Sequence, residues 1–101
     1  MPFRVLFTPD AARQLRRLRA ADRANIAGQC LRMLSVNPTL VSGSRVKRLR
    51  GDVFPPYRLR VDDSRVFYDV DDASLTVMVY GVVSKAQADE WLDAFGEEHD
   101  R

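Results

Sequence analysis

The sequence predicts an α+β domain in which a small antiparallel β-sheet packs on an N-terminal helical hairpin, with a C-terminal helix. Two patterns carry this prediction: a helical repeat of apolar residues up to residue 34, and an alternating repeat that begins at Tyr57. A chain of 101 residues, with 46% hydrophobic and 30% charged residues, is typical of one globular core. We therefore expect a single domain over residues 1–101, with the element order β-α-α-β-β-β-α.

A strand and a helix are predicted at the start of the chain. Residues 3–7 are rich in bulky apolar side chains, as strands are. Thr8, Pro9 and Asp10 then predict a helix start. Threonine is a good N-cap, proline suits the first helical position, and an acid suits the first turn. The helix continues with apolar residues at helical spacing, Ala11, Leu15 and Leu18.

A second helix is predicted after Ala20 and Ala21, with Asp22 as its N-cap. Its end is expected at Asn37, because a residue that precedes proline is disfavoured in helical conformation. Its apolar stripe consists of Ile26, Cys30, Met33 and Leu34. Two consecutive helices of this kind indicate an antiparallel hairpin. Residues 39–45 read as a polar loop, and residues 46–51 as weakly strand-like.

From Tyr57 onward, apolar residues recur at every second position, which is typical of half-buried strands. Aspartates 62–63 and 71–72 predict turns between these strands. If each turn has four residues, one face of the sheet belongs to the core: Tyr57, Leu59, Val61, Val66, Tyr68, Val70, Leu75, Val77 and Val79. The other face then carries Arg58, Arg60, Arg65, Phe67, Asp69, Met78 and Tyr80.

The last helix is expected from Lys85 to Phe95, with Ser84 as its cap and Gly96 as its end. Its apolar stripe consists of Ala88, Trp91, Leu92 and Phe95.

Charge is distributed unevenly along the chain. Residues 1–61 hold 13 Lys and Arg against three acids, a net charge of +10, and residues 62–101 hold three against 11, a net charge of −8. Fourteen of the 16 basic residues are arginine, which binds phosphate bidentately and stacks on bases. The segregation favours a nucleic-acid partner, and a solvated surface is the alternative reading.

Several chemistries are excluded or disfavoured. With one cysteine and one histidine, the chain has no internal disulfide and no Cys/His metal cluster. It has no glycine-rich phosphate loop. The paired aspartates suit turns better than a bound cation, so we expect no metal and no cofactor. Neither a membrane span nor a signal peptide is recognisable, which predicts a cytoplasmic protein with no membrane partner.

Three arginines are the strongest candidates for a binding site. Arg58, Arg60 and Arg65 belong to two neighbouring strands and share the second sheet face, where they repel one another unless an anion sits among them. Aromatic residues on the same face, Phe67 and Tyr80, suit stacked bases. A packed partner helix would suit this mixture of side chains as well.

Four segments, in their order and spacing, resemble the RelE/ParE toxin superfamily: VKRLRG at 46–51, YRLRV at 57–61, SRVFYDV at 64–70 and VVSK at 82–85. The resemblance covers nearly the whole chain. It implies a toxin of a type II toxin–antitoxin pair, partnered by a cognate antitoxin. RelE-like members cut mRNA on the ribosome without metal, and ParE-like members inhibit DNA gyrase. The spacing of Arg58 and Arg60 favours the RelE-like mRNA endonuclease. A gyrase inhibitor is the alternative, and an inactive relative is the third reading.

The resemblance also implies roles for individual residues. The catalytic set is Arg58, Arg60, Arg65 and Lys85, with Lys85 as candidate proton acceptor. The RNA-binding set is Lys47, Arg48, Arg50, Phe67, Tyr80 and Trp91. Trp91 stands near the late catalytic tyrosine of RelE-like toxins, yet an indole transfers no proton near neutral pH. Trp91 therefore either stacks on a base or belongs to the core.

Overall fold

The computed structural model describes residues 2–41, 43 and 45–99. Its elements are β1 Arg4–Phe7, α1 Pro9–Arg16, α2 Ala20–Leu34, β2 Val46–Arg48, β3 Tyr57–Val61, β4 Ser64–Asp71, β5 Thr76–Ser84, a 3₁₀ turn Lys85–Gln87 and α3 Ala88–His99. The five strands form one sheet in the order β1-β5-β4-β3-β2. The predicted α+β class is confirmed.

The sheet is mixed rather than purely antiparallel. β1 runs parallel to β5, and the other three pairs are antiparallel. Residues 46–48 form a fourth strand after the helices, where the predicted order has three, because their backbone pairs with β3. The two helices make the long connection that carries the chain from β1, at one edge, to β2, at the other.

The first helix begins as predicted, and the second does not. Thr8 Oγ1 accepts a hydrogen bond from the Ala11 amide at 3.1 Å, which confirms the N-cap. The second helix begins at Ala20 with Arg19 at the cap position, so Asp22 lies in the first turn and is not the cap. The Arg23 guanidinium donates to the Leu18 carbonyl at 2.9 Å, which ties the start of α2 to the connection between the two helices. The second helix ends at Leu34, three residues before the expected Asn37.

One face of the sheet, here called the core face, packs on α1 and α2. Leu59, Val66, Val77 and Val79 are fully buried there, and the predicted helix contacts of Leu15, Leu18, Ile26 and Met33 are confirmed. The buried apolar cluster comprises Ala11, Ile26, Cys30, Leu34, Val46, Leu59, Val61, Val66, Tyr68, Val77, Val79 and Val82. Burial raises the pKa of the Cys30 thiol to about 12.

The strand faces are as predicted, although the registers differ. Val61 pairs with Ser64, so the β3–β4 turn has two residues instead of four. This shift is even, and an even shift keeps the β3 and β4 side chains on their faces. The β4–β5 register has a one-residue irregularity between Phe67 and Tyr68, beyond which Gly81 pairs with Phe67 and Val82 with Val66. Leu75 is the exception: it lies in the β4–β5 turn at φ 53° and not on the core face, because β5 begins at Thr76.

The last helix is longer than predicted. A 3₁₀ turn precedes it, and it continues through Gly96 to His99. Glycine ends a helix mainly by taking a positive φ, and Gly96 does not. Among the described residues, no helix has the length and apolar character needed to cross a membrane.

Candidate nucleic-acid interface

The sheet face opposite α1 and α2, here called the outer face, carries most of the predicted site residues. The strand registers arrange them in two rows across the sheet. One row is Lys47, Arg58, Phe67 and Gly81. The next row, toward the β3–β4 turn, is Arg60, Arg65 and Val83. The outer face therefore has a basic half on β2, β3 and the start of β4, and a half without Lys or Arg on the rest of β4 and on β5.

The basic half consists of Lys47, Arg58, Arg60 and Arg65. Arg60 lies directly opposite Arg65, and like charges in such a cross-strand pair repel. Arg58 is two residues along β3 from Arg60, on the same face. Burial, followed by the charges of Arg65 and Arg60, lowers the pKa of the Arg58 guanidinium. The structure therefore brings the three predicted arginines together, and a bound anion would reduce the repulsion between their charges.

Arg65 differs from its neighbours because it is only 9% exposed. Its Nη1 donates to the main-chain carbonyls of Asp62 and Ser64, each at 3.0 Å. The guanidinium is thereby held against the β3–β4 turn, where Asp62 takes a φ of 51°. Arg65 thus stabilises the turn as well as contributing charge to the outer face.

Lys85 lies at the same end of the sheet. Its amide donates to the Asp63 carbonyl at 2.8 Å, and Ser84 pairs with Ser64. This backbone contact places Lys85 beside the turn that holds Arg65. The Lys85 side chain is exposed. The four residues of the predicted catalytic set therefore occupy one corner of the sheet.

Arg45 is a basic residue that the predicted sets omit. It lines a cavity of about 210 Å³ together with Arg60, Gln29, Val61 and Asp62. Its carbonyl accepts a hydrogen bond from the Arg60 amide at 2.7 Å. Its guanidinium donates to Gln29 Oε1 and to Met33 Sδ on α2, each at 3.5 Å, so this side chain extends toward the second helix.

Arg48 and Arg50 lie away from the basic half. Arg48 pairs with Tyr57, and its guanidinium lies over the Tyr57 ring at 5.3 Å from the centroid. Since Tyr57 points to the core face, Arg48 lies on the side of β2 opposite to Lys47. Arg50 is exposed in the loop, next to Gly51 at φ 70°. The structure does not place these two arginines with the other cations.

The other half of the outer face, here called the aromatic half, is covered by α3 and holds a cluster of aromatic rings. Its members are Phe54, Phe67, Tyr80, Trp91 and Phe95. The rings of Phe67 and Trp91 stack at 5.1 Å and 15°, and Phe67 is 1% exposed. In this conformation Phe67 offers no surface to a base, since the Trp91 ring occupies it.

Gly81 is the residue of this half that the sequence reasoning missed. A Cβ at Gly81 would lie 2.3 Å from Trp91 Cζ2, far inside a normal contact. The missing side chain lets the indole approach the sheet backbone. A glycine inside a strand is itself a signal of close approach, and Gly81 stands between Tyr80 and Val82 in β5. Phe54 and Phe95 were also absent from the predicted sets.

The pKa of Tyr80 reflects its position in the aromatic half. Burial, followed by the charge of Asp69, raises the pKa of its phenol. The centroid of its ring lies 5.2 Å from that of Phe54 and 5.5 Å from that of Phe95.

Over the part of the chain that the structure describes, no three His, Cys, Asp or Glu side chains gather as metal ligands.

Solved structures of toxin–antitoxin complexes share this fold. The RelBE2 complex of Mycobacterium tuberculosis has a chain that is 27% identical, with a TM-score of 0.71, covering 85% of this chain and 94% of that one. The RelE–RelB complex of Pyrococcus horikoshii OT3 gives 22% identity and a TM-score of 0.69, covering 86% and 99%. The RelB–RelE complex of Methanococcus jannaschii gives 20% and 0.61, covering 85% and 96%. The two archaeal structures support the fold alone.

No curated protein sequence matches this chain significantly. The family profile described as the ParE toxin of the type II toxin–antitoxin system parDE matches residues 5–89. That match spans the sheet, both N-terminal helices and the start of α3. The chain therefore belongs to the ParE toxin family, within the RelE/ParE superfamily of type II toxin–antitoxin toxins.

Proposed function

We propose that this toxin is a ribosome-dependent mRNA endonuclease that inhibits translation in the cytoplasm and is silenced by a cognate antitoxin. The observation that carries the proposal is the register of β3 on β4. It sets Arg60 opposite Arg65, with Arg58 next along the same face and Lys85 at the same end of the sheet. A cluster of fixed cations is what stabilises the charge that develops on a phosphate during cleavage.

The attacking group in the proposed cleavage is a hydroxyl of the RNA itself. The 2′-hydroxyl oxygen attacks the adjacent phosphorus, so the O2′–P bond forms and the P–O5′ bond breaks. The products are a 2′,3′-cyclic phosphate and a 5′-hydroxyl. The arginines bind the non-bridging oxygens, on which charge accumulates. Lys85 is the proposed acceptor of the 2′-hydroxyl proton, and the departing 5′-oxygen takes a proton from water.

The proposed roles differ with position in the cluster. Arg60 is exposed and free to follow the phosphate, whereas Arg65 is held by two carbonyls and supplies a fixed charge. Lys47, opposite Arg58, extends the basic surface toward the neighbouring phosphate. Because the Lys85 side chain is exposed in the isolated chain, its role as proton acceptor requires bound mRNA and ribosome to cover it.

The proposal that this toxin has a cognate antitoxin rests on the solved structures that share its fold. The matching structures are complexes of RelE-type toxins with their RelB antitoxins, and one of them is 27% identical to this chain. The reading frame beside the gene is the place to look for it. Growth arrest on expression of this chain, relieved by that neighbouring frame, is the expected outcome.

The deciding experiment adds the purified protein to a translating extract and maps mRNA 5′ ends. We expect codon-phased cuts with the wild-type protein and none with Arg60→Ala. Arg16→Ala is the matched control, because Arg16 is an exposed arginine on α1, away from the outer face. Intact mRNA with wild-type protein that arrests growth would overturn the nuclease proposal.

The family match gives a second candidate, a DNA gyrase inhibitor that cleaves nothing. Such a protein needs a surface that binds gyrase and no particular constellation of cations. A supercoiling assay run beside the extract separates the two functions. Blocked supercoiling with intact mRNA would establish the inhibitor. Neither effect, together with no toxicity, would identify an inactive relative.

A further inference from the structure

A groove runs between α3 and the loop that precedes β3, and no step of the proposed cleavage uses it. Its cavity has a volume of about 780 Å³. The apolar part of its surface is formed by Val53, Phe54 and Leu92. Val53 and Phe54 are neighbours in the chain and are 41% and 42% exposed, so the groove presents apolar surface to solvent.

Four carboxylates line the same groove: Asp52, Asp89, Asp93 and Glu97. The last three are spaced four residues apart on α3 and therefore share one side of the helix. No Lys or Arg lines the groove, and within the described ranges no cation lies within 4 Å of these carboxylates. The groove is thus apolar at its floor and anionic at its rim.

The negative charge of the groove excludes RNA, the partner proposed for the basic half, as the ligand of the groove. A polyanion such as RNA is repelled by four adjacent carboxylates, so the groove and the outer face need ligands of opposite sign. A helix with an apolar stripe and a basic stripe matches both features of the groove. Its Lys or Arg residues, one turn apart, would follow carboxylates that are themselves one turn apart.

We propose that this groove docks a cationic amphipathic helix of the antitoxin. The inference rests on the antitoxin part of the proposed function and not on the nuclease. It predicts that the antitoxin has a basic apolar segment for α3, separate from whatever segment covers the arginines of the outer face. Binding is measured without ribosomes, so its outcome is independent of whether the chain cuts mRNA.

The first test compares two pairs of substitutions on one helix. Asp93→Asn with Glu97→Gln removes two charges from the groove. Glu90→Gln with Glu98→Gln removes two charges from α3 residues that line other cavities. With the purified antitoxin from the neighbouring frame, we expect the groove pair to raise Kd about tenfold and the control pair less than about twofold. Equal effects in both pairs, no effect in either, or no binding by wild type would overturn the proposal.

The second test identifies the docked segment. A photo-crosslinker is attached to Val53→Cys, at the exposed floor of the groove. The native Cys30 stays unlabelled because it is fully buried and its pKa is about 12. We expect a cross-link to an antitoxin peptide that has Lys or Arg at helical spacing beside apolar residues. A cross-link to an acidic segment, or to a second copy of this chain, would overturn the proposal.

Discussion

The basic half and the aromatic half of the outer face meet on β4, and they differ in whether their side chains are covered. On β3 and the start of β4, charged side chains stay at the surface, and only Arg65 is buried, with its charge facing two carbonyls. On the rest of β4 and on β5, aromatic side chains are covered by α3. The boundary lies between Arg58 and Phe67, which pair directly across the strands. Alternation therefore assigns a side chain to a face but does not decide whether that face is open.

The comparison predicts that substitutions in the basic half change activity, whereas substitutions in the aromatic half change stability. None of the α3 residues 88–98 is fully buried, and the ring contacts of Trp91 and Phe95 join this helix to the sheet. The basic half has no such cover. Four substitutions test this division, beginning with the one that has the largest expected effect.

Arg65→Ala is expected to lower cleavage about 10²- to 10³-fold, because it removes a fixed cation from the transition state. Unlike Arg60→Ala, it should also lower the free energy of unfolding by about 1–3 kcal/mol, since the carbonyls of Asp62 and Ser64 lose their donor. Mapped 5′ ends and urea unfolding measure the two effects separately. Full activity in a folded Arg65→Ala protein would assign this residue to the turn alone.

Gly81→Ala tests the aromatic half. The added Cβ would overlap the indole of Trp91, so α3 must shift and the free energy of unfolding should fall by about 1–3 kcal/mol. Trp91 is the only tryptophan, and its fluorescence should move toward that of a solvated indole.

Gly96→Ala is the matched control, because it adds the same methyl group to α3 where no atom lies within 4 Å. It should leave fluorescence unchanged and stabilise the helix by about 0.5–1 kcal/mol. If Gly81→Ala is as stable as wild type, α3 does not depend on contact with the sheet.

These outcomes also bear on what the sequence predicts. Apolar residues that recur every two or every 3.6 residues identify the strands, the helices and the core face, because these spacings follow from backbone geometry. The apolar stripe of α3 shows that one side of the helix is covered, but it does not identify the covering surface. Gly81 marks that surface only if a strand glycine is read as a place of close approach.

Other features leave no local trace in the sequence. The burial of Arg65 depends on carbonyls that face it only once the two-residue turn is formed. Near the start of α2, Arg23 reaches back to the Leu18 carbonyl in the connection between the helices, a contact that apolar spacing does not predict. Spacing therefore predicts that Arg58, Arg60 and Arg65 converge, while their different burial is a tertiary effect.

A smaller effect is expected on β2, where Lys47 and Arg48 are neighbours on opposite faces. Lys47→Gln should weaken binding of single-stranded RNA and reduce the salt slope, d log K/d log[salt], by about 0.7, since one phosphate contact is lost. Arg48→Gln should leave that slope unchanged and lower the free energy of unfolding by about 0.5–1 kcal/mol through its contact with Tyr57. Equal salt slopes for the two variants would contradict the placement of Lys47 and Arg48 on opposite faces of β2.

The smallest effect concerns the pH dependence that the covered phenol of Tyr80 imposes. In the unfolded chain a tyrosine loses its proton near pH ~10. Burial in the aromatic half, with Asp69 nearby, raises the pKa of Tyr80, so the folded protein keeps this proton to higher pH. The contribution of Tyr80 is therefore fully present below pH ~10, and the free energy of unfolding falls as pH rises above it.

Tyr80→Phe should make this fall shallower in urea unfolding followed between pH 9 and about 11. Tyr68→Phe should reduce the slope more, because Tyr68 is fully buried on the core face and burial raises its pKa, whereas Tyr80 is only partly buried. If Tyr80→Phe and wild type have the same slope, the Tyr80 phenol is as solvated in the folded chain as in the unfolded one, and α3 does not cover this half in solution.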